Sequence, residues 1–170
     1  PAHVAEARAV LRPGEVLLAF YVAEDQAYVW AVRADGKAAL TAIPLTRAQL
    51  ADTVAKLRKA LDPGAVDLDQ IPAFDVATAY KLYRALLAPL EPMLSDATTL
   101  LVAPHGPLGQ LPLALLPTAA VPQPGKSPLL FAGYKNIPWL MRRYAVAQLP
   151  SITALTSLRH LKPGDPSRST

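Results

Sequence analysis

The spacing of apolar positions changes period several times along the chain. Residues 2–11 are alanine-rich and stop at Arg12-Pro13-Gly14, which reads as a helix and its terminator. Over residues 16–22, Val16, Leu18, Phe20 and Val22 interleave with Leu17, Ala19 and Tyr21, the pattern of a strand covered on both faces. Glu24-Asp25-Gln26 is a turn, after which Tyr28, Trp30 and Val32 alternate strictly up to Ala34-Asp35-Gly36, an Asp-Gly hairpin signal. Residues 39–45 give a third strand. The first three strands therefore predict an antiparallel meander.

The period then becomes helical. Thr46 is an N-cap candidate with Gln49 three residues on, a capping box that satisfies two orphan backbone donors. Leu50, Val54, Leu57 and Leu61 follow on one face, Lys56, Arg58 and Lys59 suit the carboxyl end, and Asp62-Pro63-Gly64 ends the helix. A polar loop covers 65–74. A second helix starts near Asp75, presents Val76, Tyr80, Tyr83 and Leu87, and closes at Pro89 and Pro92. Residues 98–103 form a short, wholly apolar strand of the kind found inside a sheet. Residues 117–128 read as loop, 143–148 as another strand, and Ser151 as the N-cap of a helix over 152–161.

Composition narrows the class. A chain of 170 residues is one domain or slightly more. Its 52% hydrophobic content supports a core without covalent staples. The 18 prolines fall in connections, so they signal rigid loops rather than disorder. The chain has no cysteine, which excludes disulfides, thiolate metal sites and a cysteine nucleophile within these residues. The longest apolar run, 16–23, is far short of the roughly 20 residues of a membrane helix. No secretory signal is present, so a cytoplasmic location is expected. A first residue of Pro1 suggests a processed product or a piece of a longer protein.

The net charge of +4 is uneven. Residues 1–85 hold ten basic and ten acidic side chains, and 86–170 hold seven and three. Arg142, Arg143, Arg159 and Lys162 contribute to the excess. Without interleaved exposed aromatics these read as solvated charges, and a nucleic-acid partner is not expected.

Chemistry-bearing residues are few. The histidines are His3, His105 and His160. His3 lies near the terminus and His160 at a helix end, where a cation is favoured. No HExxH, GxSxG, glycine-rich phosphate loop or zinc spacing occurs, and none of the six serines sits on a strand-to-helix elbow. Asp67-Leu68-Asp69 lacks the further oxygen ligands of a cation loop. No metal and no cofactor is expected. His105 is the one catalytic candidate, because it follows the buried strand ending at Ala103, and a hydrolase reading pairs it with a carboxylate such as Asp96.

The run Leu100-Leu101-Val102-Ala103-Pro104-His105-Gly106-Pro107-Leu108, continuing to Leu111-Pro112-Leu113-Ala114-Leu115-Leu116, resembles a signature of the CHAT domain family. So do Tyr144-Ala145-Val146-Ala147-Gln148-Leu149-Pro150-Ser151 before a leucine helix, Leu82-Tyr83-Arg84-Ala85-Leu86-Leu87-Ala88-Pro89-Leu90, and the opening Leu11-Arg12-Pro13-Gly14-Glu15-Val16-Leu17. These landmarks occur in the family's order.

The resemblance implies an α/β fold, a caspase-like three-layer sandwich present in part, with the meander at its amino-terminal side. Residues 1–12 would be a preceding helix or linker, 13–161 the amino-terminal part of the domain, and 162–170 a polar tail or cleavage loop. It further implies peptide-bond hydrolysis by a histidine and cysteine pair located after the Pro150-Ser151 landmark, so that no catalytic residue is expected in this chain. His105 falls where the family usually has aspartate, and a structural turn is the favoured reading. Expected partners are the carboxyl-terminal catalytic part, upstream tetratricopeptide-like repeats and a protein substrate. Two other readings stay open: an inactive interaction module on the same scaffold, and a small α/β hydrolase using His105.

Overall fold

Strand β1 (Glu15–Val22) forms the middle of a five-stranded mixed sheet in the computed structural model, which describes residues 2–64, 71–125 and 131–160. The sheet order is β3-β2-β1-β4-β5, with β2 at Ala27–Arg33, β3 at Ala38–Ile43, β4 at Thr99–Ala103 and β5 at Ala145–Gln148. β1 pairs antiparallel with β2, and β2 with β3, as the alternation predicts. On its other side β1 pairs parallel with β4, and β4 parallel with β5. The meander is thus one half of a mixed α/β sheet. β3 ends at Ile43, short of the predicted Leu45, because Pro44 lacks the N–H that a longer strand needs.

Side chains of β1 alternate between two cores, the direct consequence of strand periodicity. Val16, Leu18, Phe20 and Val22 join Leu100 and Val102 of β4 on one face, under α2 (Arg47–Leu61) and α3 (Val76–Leu86). Leu17, Val32 and Leu101 meet Ala7 and Leu11 at the amino-terminal side and Leu155 of α6 (Ile152–His160) on the other face. Ala7 belongs to α1 (Ala2–Val10). Helices therefore lie on both faces. Each fully buried leucine stabilises the fold by about 1.5–3 kcal/mol.

Local signals explain the helices. The Thr46 side chain accepts from the Gln49 N–H at 3.2 Å while the Gln49 side chain accepts from the Thr46 N–H at 2.9 Å, the predicted capping box. Asp75 caps α3 by accepting from the Thr78 N–H at 2.9 Å. The buried stripe of α3 is Val76, Ala79, Leu82, Tyr83 and Leu86, with Tyr80 only half-buried. The predicted stripe placed Tyr80 on the buried face, where burial instead takes Ala79 and Leu82, three and six residues after Val76. After α3 the chain passes through a short helix, α4 (Glu91–Leu94), into β4. A second short helix, α5 (Leu140–Arg143), occupies the start of the segment predicted as strand and leaves β5 four residues long.

One member of the basic excess is not solvated. The Arg159 guanidinium donates to Glu15 at 2.5 Å, with the two side chains only 18% and 11% exposed, and the second Glu15 oxygen accepts from the Arg12 N–H at 2.8 Å. That contact clamps α6 across the end of β1. Ser151 caps α6 by accepting from the Ala154 N–H at 3.1 Å. Among the described residues no helix is long and apolar enough to cross a membrane. Asp67, Asp69, Lys162 and the polar tail lie outside the described residues.

Candidate functional site

β1 outruns its parallel neighbour. The ladder between them ends at Ala19 and Ala103, so Val22, still paired with Ala27 of β2 on one side, reaches past the carboxyl end of β4 with no strand on the other. The N–H and C=O of one strand residue point the same way, and a buried residue cannot leave both unpaired. Val22 is fully buried. Two side chains satisfy it: His105 accepts the Val22 N–H on Nδ1 at 3.0 Å, and the Arg47 guanidinium donates to the Val22 C=O at 2.5 Å.

His105 is therefore a rung of the sheet made from a side chain. An Nδ1 that accepts this bond places the imidazole proton on Nε2. The Tyr21 ring stacks on the imidazole at 5.1 Å between centroids. An aspartate at this position, the residue type the family resemblance implies, offers a carboxylate oxygen able to accept the same N–H. Gly106, next in the chain, has φ +57°, and a Cβ there would lie 3.2 Å from the Arg47 guanidinium. The left-handed backbone favours glycine, and a side chain there would also crowd the Arg47 guanidinium by a few tenths of an ångström.

Arg47 is the residue that sequence reading missed. It is the first residue of α2, and the Arg47 N–H donates to the Glu24 C=O at 3.0 Å. Its Nε lies 2.9 Å from a Glu24 carboxylate oxygen, but off the hydrogen-bond direction, so charge attraction holds that contact. Nothing in the pattern around Thr46-Arg47 points to Val22; only the unequal lengths of β1 and β4 create the need.

Asp96 lies at the opposite end of β4 from His105. Its carboxylate forms a two-pronged pair with Arg33, at 2.5 and 2.7 Å. That hydrogen bond holds the Asp96 carboxyl down to about 2 and raises the guanidinium of Arg33. Arg33 also donates to the Met93 C=O at 2.9 Å, tying β2 to the approach to β4. The structure does not bring Asp96 and His105 together. His160 lies at the end of α6 with Nδ1 2.6 Å from the Thr156 carbonyl oxygen, and the backbone of His3 is in α1. Among the described residues no group of three or more histidine and acidic side chains is placed to hold a metal ion.

Carboxyl ends of parallel strands are where α/β sheets place their sites. Here β1, β4 and β5 present that edge together, with His105, Tyr21 and Arg47 along it. Residues 76–169 match the family model of the CHAT domain. This is more than half of the sequence, and the chain belongs to the CHAT domain family, a family of caspase-like peptidases. The landmark segments 82–90, 100–116 and 144–151 fall inside the match, and 11–17 falls outside it. No curated protein matches the chain.

Proposed function

We propose that these residues are the amino-terminal scaffold of a CHAT-type cysteine peptidase domain with a caspase-like three-layer architecture, whose histidine and cysteine dyad is carried by a further part of the protein. The observation that carries this reading is β5. It is a parallel strand at the sheet edge, and three of its four residues are exposed. Parallel strands are ordinarily buried on both faces, so an exposed one is suited to receive further strands and their helices. A strand added beside β5 would bring its carboxyl end next to the edge that His105 and Arg47 organise. The absence of cysteine from all 170 residues supports the same division of labour, since a thiolate nucleophile is needed and must come from elsewhere.

In this reading His105 positions the ends of β1 and β4 and is not a catalytic residue. The protein works in the cytoplasm on a protein substrate, and tetratricopeptide-like repeats precede the domain. The interaction-module reading uses the same missing cysteine but requires no second part. Intact-mass measurement of the native protein separates the two. The scaffold reading expects either a longer chain or a co-purifying fragment with a cysteine that takes up a thiol-directed peptide probe. It also expects the 170 residues alone to self-associate through β5. A monodisperse, cooperatively unfolding monomer with no such fragment would overturn it.

A further inference from the structure

The bond that fastens the carboxyl end of β1 depends on a side chain that changes charge near neutrality. The fully buried Val22 donates its N–H to Nδ1 of the half-buried His105 at 3.0 Å, tying β1 to the segment that follows β4. Only a neutral imidazole keeps a nitrogen lone pair to accept that bond; a doubly protonated ring is a donor at both nitrogens. The rung and the second proton therefore exclude each other. A carboxylate or an amide carbonyl would accept the same N–H at any pH above about 4. Histidine is the side chain whose ordinary charge change falls between about pH 5 and 8.

The groups facing the ring come from three elements. Tyr21 of β1 stacks on it at 5.1 Å between centroids, a contact that either charge state of the imidazole keeps. Arg47 of α2 donates to the C=O of the same Val22 at 2.5 Å and reaches to 3.2 Å from a Cβ placed on Gly106. Glu24, in the turn after β1, has its 81% exposed carboxylate 2.9 Å from Nε of Arg47, so its charge is directed to that guanidinium. From Pro104 to Gln110 the sequence holds no ionisable side chain besides His105 itself. The hydrogen bond to Val22 is thus the contact that distinguishes the two charge states.

We propose that His105 is a pH-sensitive fastener of the sheet's carboxyl edge. Neutral, it closes the rung on Val22; protonated, it releases the end of β1 from the segment after β4. Leaving a buried N–H unpaired disfavours the open form by about 5–150-fold. A freed imidazole that protonates at its ordinary value of about 6.5 favours the open form by about 30-fold at about pH 5 and scarcely at all at about pH 8. The two factors are of comparable size, so the rung is closed in the neutral range and opens on mild acidification. The device belongs to these residues and holds wherever the catalytic dyad lies.

The test follows hydrogen exchange at the Val22 amide in the complete native protein at about pH 8 and about pH 5, corrected for intrinsic exchange. Protection at Val22 is expected to fall about 5–30-fold on acidification, while Leu18, fully buried in mid-strand, keeps its protection. His105→Asn supplies a carbonyl acceptor that does not titrate, and should hold the Val22 protection within about twofold over the same interval. The ring nitrogen shifts of His105 give a second reading that needs no variant: Nδ1 bare at the higher pH, both nitrogens protonated at the lower. No loss at Val22 in the wild type, an equal loss in His105→Asn, a loss shared with Leu18, or a proton on Nδ1 at the higher pH each overturns the proposal.

Discussion

At one edge of the sheet, β3 pairs antiparallel with β2 and is bracketed directly by Lys37 and Pro44; at the other, β5 pairs parallel with β4 and is bracketed directly by Tyr144 and Leu149, with Arg143 and Pro150 one residue further out. Antiparallel strands tolerate water on one face, and a lysine or a proline beside the strand discourages pairing with another chain. β3 carries its exposed Leu40 in that setting, as an ordinary outer strand. β5 has the composition of an inner strand, Ala-Val-Ala-Gln, and the exposure of an outer one. Under the proposed function the difference gives the two edges different fates: one terminates the sheet, the other continues it.

The largest expected effect is at β5. The Ala145 N–H donates to Thr98 and the Leu149 N–H to Val102, so by alternation the N–H groups of Val146 and Gln148 face outward. Gln148→Pro removes an outward donor. It is expected to abolish thiol-probe labelling of the complete protein while shifting the unfolding free energy of the 170 residues by no more than about 1 kcal/mol. Retained labelling would erase the distinction between the edges. Leu18→Ala, beneath α2 and α3 and far from both edges, should cost about 2–5 kcal/mol by denaturant unfolding.

The rung at the end of β4 comes next. His105→Ala leaves the buried Val22 N–H unpaired and should cost about 1–3 kcal/mol, with His105→Asn recovering part of the loss because its carbonyl accepts the same bond. Equal losses from both variants would mean that the imidazole acts only through its stack on Tyr21.

A similar or slightly smaller loss, about 0.5–2 kcal/mol, is expected for Asp75→Ala, which removes the cap of α3. The Lys56 ammonium, at 2.7 Å, and the Thr78 N–H hold the Asp75 carboxyl at about 2, below its ordinary 3.8. A carboxyl lowered on folding stabilises the folded state above its unfolded value, and that contribution is lost as pH falls from about 3.8 towards 2. The Asp75→Ala variant should therefore show a shallower loss of stability over that interval in acid titrations followed by circular dichroism. The smallest effect closes the comparison: Leu40→Lys on β3 should change stability by less than about 0.5 kcal/mol and leave labelling intact.

Much of this fold was legible in single residues. The β1 alternation, the Thr46-Gln49 box, the helix start near Asp75, the Ser151 cap and the apolar run of β4 each carry a local physical reason that the three-dimensional structure repeats. The parallel pairing of β1 with β4 was not legible, because no local pattern specifies which strand lies beside which. The short helix α5 was missed because Leu140 to Arg143 spans barely one turn, too short for a period to emerge. The site was half legible. His105 stood out from its place after a buried strand, yet its role depends on β1 being longer than β4, and Arg47 enters only through that same mismatch. Arg159 read as solvated because its partner, Glu15, lies at the other end of the chain.

The central claim, that β5 is an interior strand of the complete domain, is tested most directly by hydrogen exchange at the outward N–H groups of Val146 and Gln148. In the complete native protein they should exchange at least about 100-fold more slowly than in a Gln148→Lys-disrupted or dissociated form, approaching the protection of β4. Exchange as fast in the complete protein as at a solvent-facing edge would contradict the account.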